Sequence, residues 1–191
     1  MSAVTRIVAG TARGRRLKVP DQGTRPTSER VREAVFSALE SRTDLHGARV
    51  LDLYAGSGAL GLEALSRGAE HVLLVESDAR AAAVASANVQ AVGLPGATVR
   101  RAPVASALAQ PPDAPYDLVL ADPPYSVTDV AVAGVLAALL ANGWLAEHAL
   151  VVLERARRSP ETAWPPGLEA TWGKRYGDTR VEMATCYRAL P

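Results

Sequence analysis

The chain has 191 residues, 48% of them hydrophobic, which suits one domain of ordinary size with a real core. Its net charge of +1 is unevenly spread: residues 1–32 hold eight basic side chains against Asp21 and Glu29, so this segment is +6 and the remainder −5. One cysteine (Cys186) and three scattered histidines (His46, His71, His148) exclude a disulfide framework and give no metal-ligand spacing, and no apolar run has the length of a membrane span or the form of a signal peptide.

A cytoplasmic, metal-free protein is therefore expected. Nineteen of the 21 basic residues are arginine, so arginine abundance alone is no sign of nucleic-acid binding. Its clustering is a better sign. Residues 4–19 contain short β-prone pieces flanking Gly10 and Gly14, which predicts a hairpin too small for a core of its own. Arg6, Arg13, Arg15, Arg16 and Lys18 make it basic, and a basic arm on a mildly acidic body suits a polyanion. We divide the chain into this arm, 1–24, and a main domain, 25–191. Pro26-Thr27-Ser28-Glu29 predicts a helix start, with Thr27 or Ser28 as cap. Val31, Ala34, Val35, Ala38 and Leu39 form its apolar stripe. Arg30 and Arg32 lie off the stripe and are expected to stay available, with Arg25 and Thr27, for a ligand or substrate.

From Ala48 strand, turn and helix alternate. Strands are predicted at Arg49–Leu53, His71–Glu76, Ala97–Arg101, Tyr116–Ala121 and His148–Glu154. Helices are predicted at Ala59–Arg67, from Asp78 to about Val92, at Val104–Leu108 and at Val130–Leu140. Right-handed βαβ crossovers follow, giving a doubly wound parallel sheet. Leu168–Tyr176 and Arg180–Arg188 around Gly177-Asp178 predict a closing antiparallel hairpin.

Two stretches carry chemistry. Asp52-Leu53-Tyr54-Ala55-Gly56-Ser57-Gly58-Ala59-Leu60-Gly61 follows the first strand of the domain and opens a helix. Gly56, Gly58 and Gly61 match the dinucleotide fingerprint, and Glu76 ends the next strand, where it can accept both hydroxyls of a ribose. An NAD-dependent oxidoreductase is thus one reading. Asp52 argues against a diphosphate, because its charge would repel one, whereas it would attract an ammonium. S-adenosylmethionine has an ammonium, a sulfonium and a ribose and no phosphate, so Asp52 with Glu76 favours it. The second stretch, Asp122-Pro123-Pro124-Tyr125, ends the fourth strand. Its prolines fix the backbone, leaving the Asp122 and Pro123 oxygens as a rigid row of acceptors beside the Tyr125 ring. Such a row suits a planar base that presents an amino group. The first and fourth strands should be neighbours, with both loops facing one crevice at the topological switch point.

With these two motifs, residues 48–155 resemble the class I S-adenosylmethionine-dependent amino-methyltransferases. The resemblance implies a seven-strand, Rossmann-like sheet of order 3-2-1-4-5-7-6 with the last strand antiparallel, and an Asp-Pro-Pro-Tyr loop that holds a flipped exocyclic amine. It implies donor contacts at Asp52, Tyr54, Ala55, Gly56, Ser57, Gly58, Gly61, Glu76, Ser77 and Ala102, and catalytic positions at Asp122, Pro123, Pro124 and Tyr125. Where many relatives carry an aspartate after the third strand, this chain has Arg101-Ala102-Pro103-Val104, so the adenine contact there must come from backbone or from elsewhere. Arg6-Ile7-Val8-Ala9-Gly10, Arg13-Gly14-Arg15-Arg16-Leu17, the block from Arg25-Pro26-Thr27 to Phe36, and Tyr176-Gly177-Asp178-Thr179-Arg180-Val181 look like the bacterial RsmD family. That resemblance implies methylation of N2 of one guanine in 16S ribosomal RNA, free or in an assembling 30S subunit. A monomer is expected, although the residues themselves do not set the oligomeric state. Three other readings stay open: an adenine-N6 methyltransferase on DNA or RNA, the NAD-dependent oxidoreductase, and a non-catalytic RNA-binding assembly factor.

Overall fold

A computed structural model describes residues 4–20 and 27–187. A two-strand hairpin, β1 (Val4–Arg6) and β2 (Arg16–Lys18), leads to helix α1 (Glu29–Glu40). The domain then runs β3 (Arg49–Leu53), α2 (Ala59–Ser66), β4 (His71–Glu76), α3 (Ala79–Val92), β5 (Ala97–Arg101), α4 (Val104–Leu108), β6 (Tyr116–Ala121), α5 (Asp129–Ala141) and β7 (Leu145–Ala156). Strands β8 (Leu168–Tyr176) and β9 (Thr179–Cys186) close it. The sheet order is β5-β4-β3-β6-β7-β9-β8, with β9 antiparallel to both neighbours and the other pairings parallel. This is the expected 3-2-1-4-5-7-6 order.

The apolar runs of β3, β4 and β6 are buried almost end to end because helices cover both faces. Helices α1, α2 and α3 supply Phe36, Leu39, Leu62, Leu65 and Val92 to one cluster. Helices α4 and α5 supply Leu108, Leu136 and Leu139 to the other, which also holds Trp144. The three tryptophans pack rather than stand free: Trp144 is buried, stacks on Tyr116 at 5.7 Å and donates its indole N–H to the Gln110 carbonyl at 3.0 Å, while Trp164 and Trp172 lie against the clusters. Among the described residues no helix is long and apolar enough to cross a membrane.

Strand β7 begins earlier than the expected His148. Its pairing with β6 slips between Tyr116 and Leu118, and His148 takes a positive φ of 62°. The polar Glu147-His148 pair interrupts the apolar run, and an irregular step carries the strand across it. The final hairpin turns one residue earlier on its second strand than expected; Arg188 lies outside the described residues.

The N-terminal hairpin docks on the domain, and Ile7, Ala12 and Leu17 join the cluster under α1–α3. Backbone and side chains lock it in place. Thr11 and Ala12 donate their N–H groups to the Ser66 carbonyl (2.8 Å) and hydroxyl (2.9 Å). Asn88 of α3 exchanges two hydrogen bonds with the Lys18 backbone, at 2.8 and 2.9 Å. Gly10 has no alternative residue: with φ at 83°, a Cβ there would sit 1.9 Å from the Ser66 carbonyl oxygen.

Candidate active site

The turn after β3 is shaped by backbone conformations that only a few residues tolerate. Gly56 and Gly58 have φ of 54° and 80°, and Tyr54, unusually for a bulky residue, has φ of 59°. The Ala55 N–H reaches the Val75 carbonyl at 3.0 Å and the Gly58 N–H reaches the Ala55 carbonyl at 2.7 Å, closing the turn. Gly61 lets α2 lie on β4, since a Cβ would come within 2.4 Å of Leu74. Asp52, Tyr54, Ala55, Gly56 and Ser57 line one depression, which extends to Asp122. Gly58 and Gly61 are not part of its wall. Glu76 meets the loop through the Gly56 N–H, accepted at 2.8 Å, and also accepts from the Asp78 N–H at 2.8 Å. Ser77 and Ala102 flank Glu76, Ala102 through an N–H bond to the Glu76 carbonyl at 3.1 Å.

Asp52 is buried and accepts the Gly61 N–H at 2.8 Å. Burial pushes its carboxyl up to about 7, with the Gly61 bond pulling the other way. The folded protein therefore holds this proton more tightly than the unfolded chain, where an aspartate titrates near ~3.9. Asp52 thus costs stability progressively as pH rises from about 4 to about 7. Asp52→Asn, which keeps an acceptor for Gly61, should gain stability relative to wild type over that window, by up to about 4 kcal/mol at pH 8. Denaturant melts at pH 4.5 and pH 8 check this; a difference that does not change with pH would contradict it.

Asp122 follows β6. Pro123 is buried behind it, Pro124 is half-buried, and the Tyr125 ring stands 67% exposed. A cavity of about 250 Å³ opens between this loop, the start of α1 and the ends of β7 and β9, lined by Thr27, Asp122, Tyr125, Glu154, Tyr176 and Thr179 among others. The Thr27 hydroxyl lies 3.1 Å from Asp122 Oδ2 and 2.9 Å from Glu154 Oε2. Burial, then the Glu154 charge, holds the Asp122 carboxyl well above the usual carboxylate range, against the Thr27 bond. Burial likewise raises Glu154. Thr27 and Asp122 belong to the walls of both cavities, so the two predicted loops do meet in one crevice.

The arginines separate into groups. Arg6, Arg13 and Arg30 border one shallow depression; Arg16 and Lys18 are exposed on β2; Arg15 is exposed and donates to the Ala91 carbonyl at 3.3 Å. Arg25 lies outside the described residues. The expectation that Arg32 stays available is corrected. Its side chain is fully enclosed, 3.4 Å from Glu63, and donates to the Thr5 hydroxyl and the Arg6 carbonyl, because the docked hairpin covers the flank of α1 that the apolar stripe leaves open. Ser28, not Thr27, caps α1, which frees the Thr27 hydroxyl for the two carboxyls. Sequence reasoning gave no site role to Glu154, to Tyr176 and Thr179, which it used only as part of a family-like block, or to Arg157 and Arg158, which share the outer rim with Tyr125. The signal for Glu154 was present: it closes the predicted strand His148–Glu154 and lies near the carboxyl end of β7, as Asp52 and Asp122 lie at the carboxyl ends of β3 and β6.

The family model described as "Conserved hypothetical protein 95" matches residues 5–185. The ribosomal RNA small subunit methyltransferase D of Escherichia coli K12 is 40% identical over 158 residues, covering 80% of this chain and 75% of that protein. The protein of the same name from Haemophilus influenzae is 37% identical over 159 residues, covering 81% and 80%. The solved structure of yhhF from Escherichia coli superposes with a TM-score of 0.88 at 33% identity, covering 97% of this chain and 99% of that one. The chain belongs to the ribosomal RNA small subunit methyltransferase D family.

Proposed function

We propose that this protein transfers a methyl group from S-adenosylmethionine to the exocyclic N2 of a guanine in 16S ribosomal RNA. The observation that carries the reading is the junction of the two cavities at Asp122 and Thr27, which puts an amine-holding loop beside the Asp52 loop. Membership of a family of ribosomal RNA methyltransferases sets aside the oxidoreductase, the DNA adenine-N6 enzyme and the non-catalytic assembly factor.

The residues present fit the donor. The depression at the Asp52 loop brings Asp52 and Asp122 to its wall, Arg32 there is already engaged by Glu63, and Glu76 stands at the Gly56 turn. This suits a cationic nucleoside and not a polyphosphate. When bound, S-adenosylmethionine supplies a methyl on a sulfonium, a good leaving group, so the protein's task is mostly positioning. Glu76 would hold the ribose and the Tyr54–Ser57 turn the amino-acid end. Asp122 and the Pro123 carbonyl accept the two N–H groups of the amine, which turns the nitrogen lone pair, otherwise delocalised into the ring, toward the donor. Tyr125 offers its face to the extruded base. Asp122 then takes the proton that the alkylated nitrogen loses.

The arm, 1–24, grips RNA phosphates through Arg6, Arg13, Arg15, Arg16 and Lys18, with Arg30 beside them. Changing Arg13, Arg15 and Arg16 together to alanine should weaken RNA binding and flatten the dependence of log K on log salt by about 2 units, at ~0.7 per lost contact. An unchanged slope in a filter-binding titration would remove the arm from the RNA interface. The protein acts in the cytoplasm as a monomer. Labelled donor, incubated with free 16S RNA and with 30S particles from an unmethylated strain, followed by mapping of the modified nucleotide, tests the whole reading; no methyl on guanine N2 would overturn it.

A further inference from the structure

Asp122 has a partner carboxyl that the amine-holding mechanism leaves unused. Strands β6 and β7 pair in register through Ala121 and Leu153, so Asp122 and Glu154 are the next lateral pair, on one face of the sheet edge. Both line the same cavity, and the Thr27 hydroxyl touches both. A hydroxyl has one proton, so it can donate to only one of them; the second contact is a bond only when that carboxyl carries a proton itself. Among the described residues no arginine or lysine forms an ion pair with either one. Two adjacent, half-buried carboxyls without a cation are costly when both are charged. The ligand that relieves this cost brings adjacent N–H donors into the cavity.

Guanine has that arrangement: its amine and its N1–H sit side by side. Adenine presents an amine beside a bare N1 acceptor, and a carboxylate repels a bare acceptor. Resting on the methyltransferase reading above, we infer that Glu154 is a specificity-determining residue which accepts the guanine N1–H while Asp122 holds the amine. Thr27 keeps the two carboxyls at the spacing of the base edge. A purine with the amine but no N1–H is then a poor substrate, although the reacting nitrogen is intact.

The probe is target RNA with 2-aminopurine at the modified position, which retains the amine and has an unprotonated N1. Glu154→Gln keeps the side-chain length and can both accept from Thr27 and donate to N1. Expected is a fall of about 10–100-fold in the ratio of kcat/KM for guanine over 2-aminopurine, from loss on guanine and gain on 2-aminopurine, with S-adenosylmethionine affinity unchanged. Glu154→Ala, which removes the repulsion without supplying a donor, lowers the same ratio and serves if the glutamine variant does not fold. Loss of activity on both substrates at a constant ratio would show a structural role and overturn the inference. A wild type that leaves guanine unmethylated would overturn the functional reading and this inference together, whereas guanine methylation with a constant ratio overturns only the inference.

Discussion

Asp122→Asn should lower methyl transfer by about 10²–10⁴-fold, the usual contribution of a positioned proton acceptor, while S-adenosylmethionine still binds. The asparagine keeps the size of the side chain and one acceptor oxygen for Thr27. It loses the charge that draws an amine proton and the capacity to take that proton. Because burial and Glu154 hold the Asp122 carboxyl above the usual range, the ionised Asp122 that the proposed mechanism requires forms in the free enzyme only as pH rises. The wild-type rate should therefore climb with pH through and above the ordinary carboxylate region, and the residual rate of Asp122→Asn should lack that limb. Single-turnover transfer measured from pH 5 to pH 9, beside isothermal titration with donor, separates the two effects. Full activity in Asp122→Asn or Asp122→Ala would end the assignment of the loop, and equal loss of donor binding would move Asp122 from the base to the donor.

Most of the sheet was legible in the sequence for one physical reason. Parallel strands buried on both faces must be apolar nearly throughout, and Val50–Leu53, Val72–Val75 and Leu118–Ala121 advertise it. The site loops were legible because they need residues with few substitutes: Gly56 and Gly58 for positive φ, Gly61 for contact with Leu74, and prolines to stiffen the loop after Asp122. Groups that act across the fold were not legible. Nothing local distinguishes Thr27 from an ordinary helix cap, and its partners lie 95 and 127 residues away. Arg32 reads as a surface residue on α1 until the hairpin is placed over it. Glu154 reads as a strand end until β6 is set beside it.

The same long-range logic sets the largest stability effect at Glu63, a residue with no motif around it. Its carboxylate is fully enclosed and accepts the Val8 and Ala9 N–H groups at 2.9 and 3.0 Å. It also faces Arg32 at 3.4 Å and Arg67 at 3.0 Å, and the Arg67 guanidinium stacks 4.9 Å over Phe36. One side chain thus ties the hairpin to α2 and is the counter-charge of Arg32, while Arg67 shares it with Glu40 at 3.1 Å. Glu63→Ala leaves the enclosed Arg32 without its counter-charge, leaves Arg67 only the half-exposed Glu40 at 3.1 Å, and strands two backbone donors, and breaking a buried pair in this way costs about 3–5 kcal/mol. For a chain of this size that is a drop in Tm of about 6–20 °C. The hairpin should loosen first, so limited proteolysis should cut within residues 8–20 of the variant before the domain, and RNA affinity should fall with it. Removing both partners discriminates a specific pair from general damage: Arg32→Met together with Glu63→Met should be less destabilised than the sum of the single changes, since no unmatched charge remains between these two positions. Additive losses in that cycle would mean that Arg32 and Glu63 do not act on each other, and that the hairpin is held by its apolar contacts and by Ser66 and Asn88 instead.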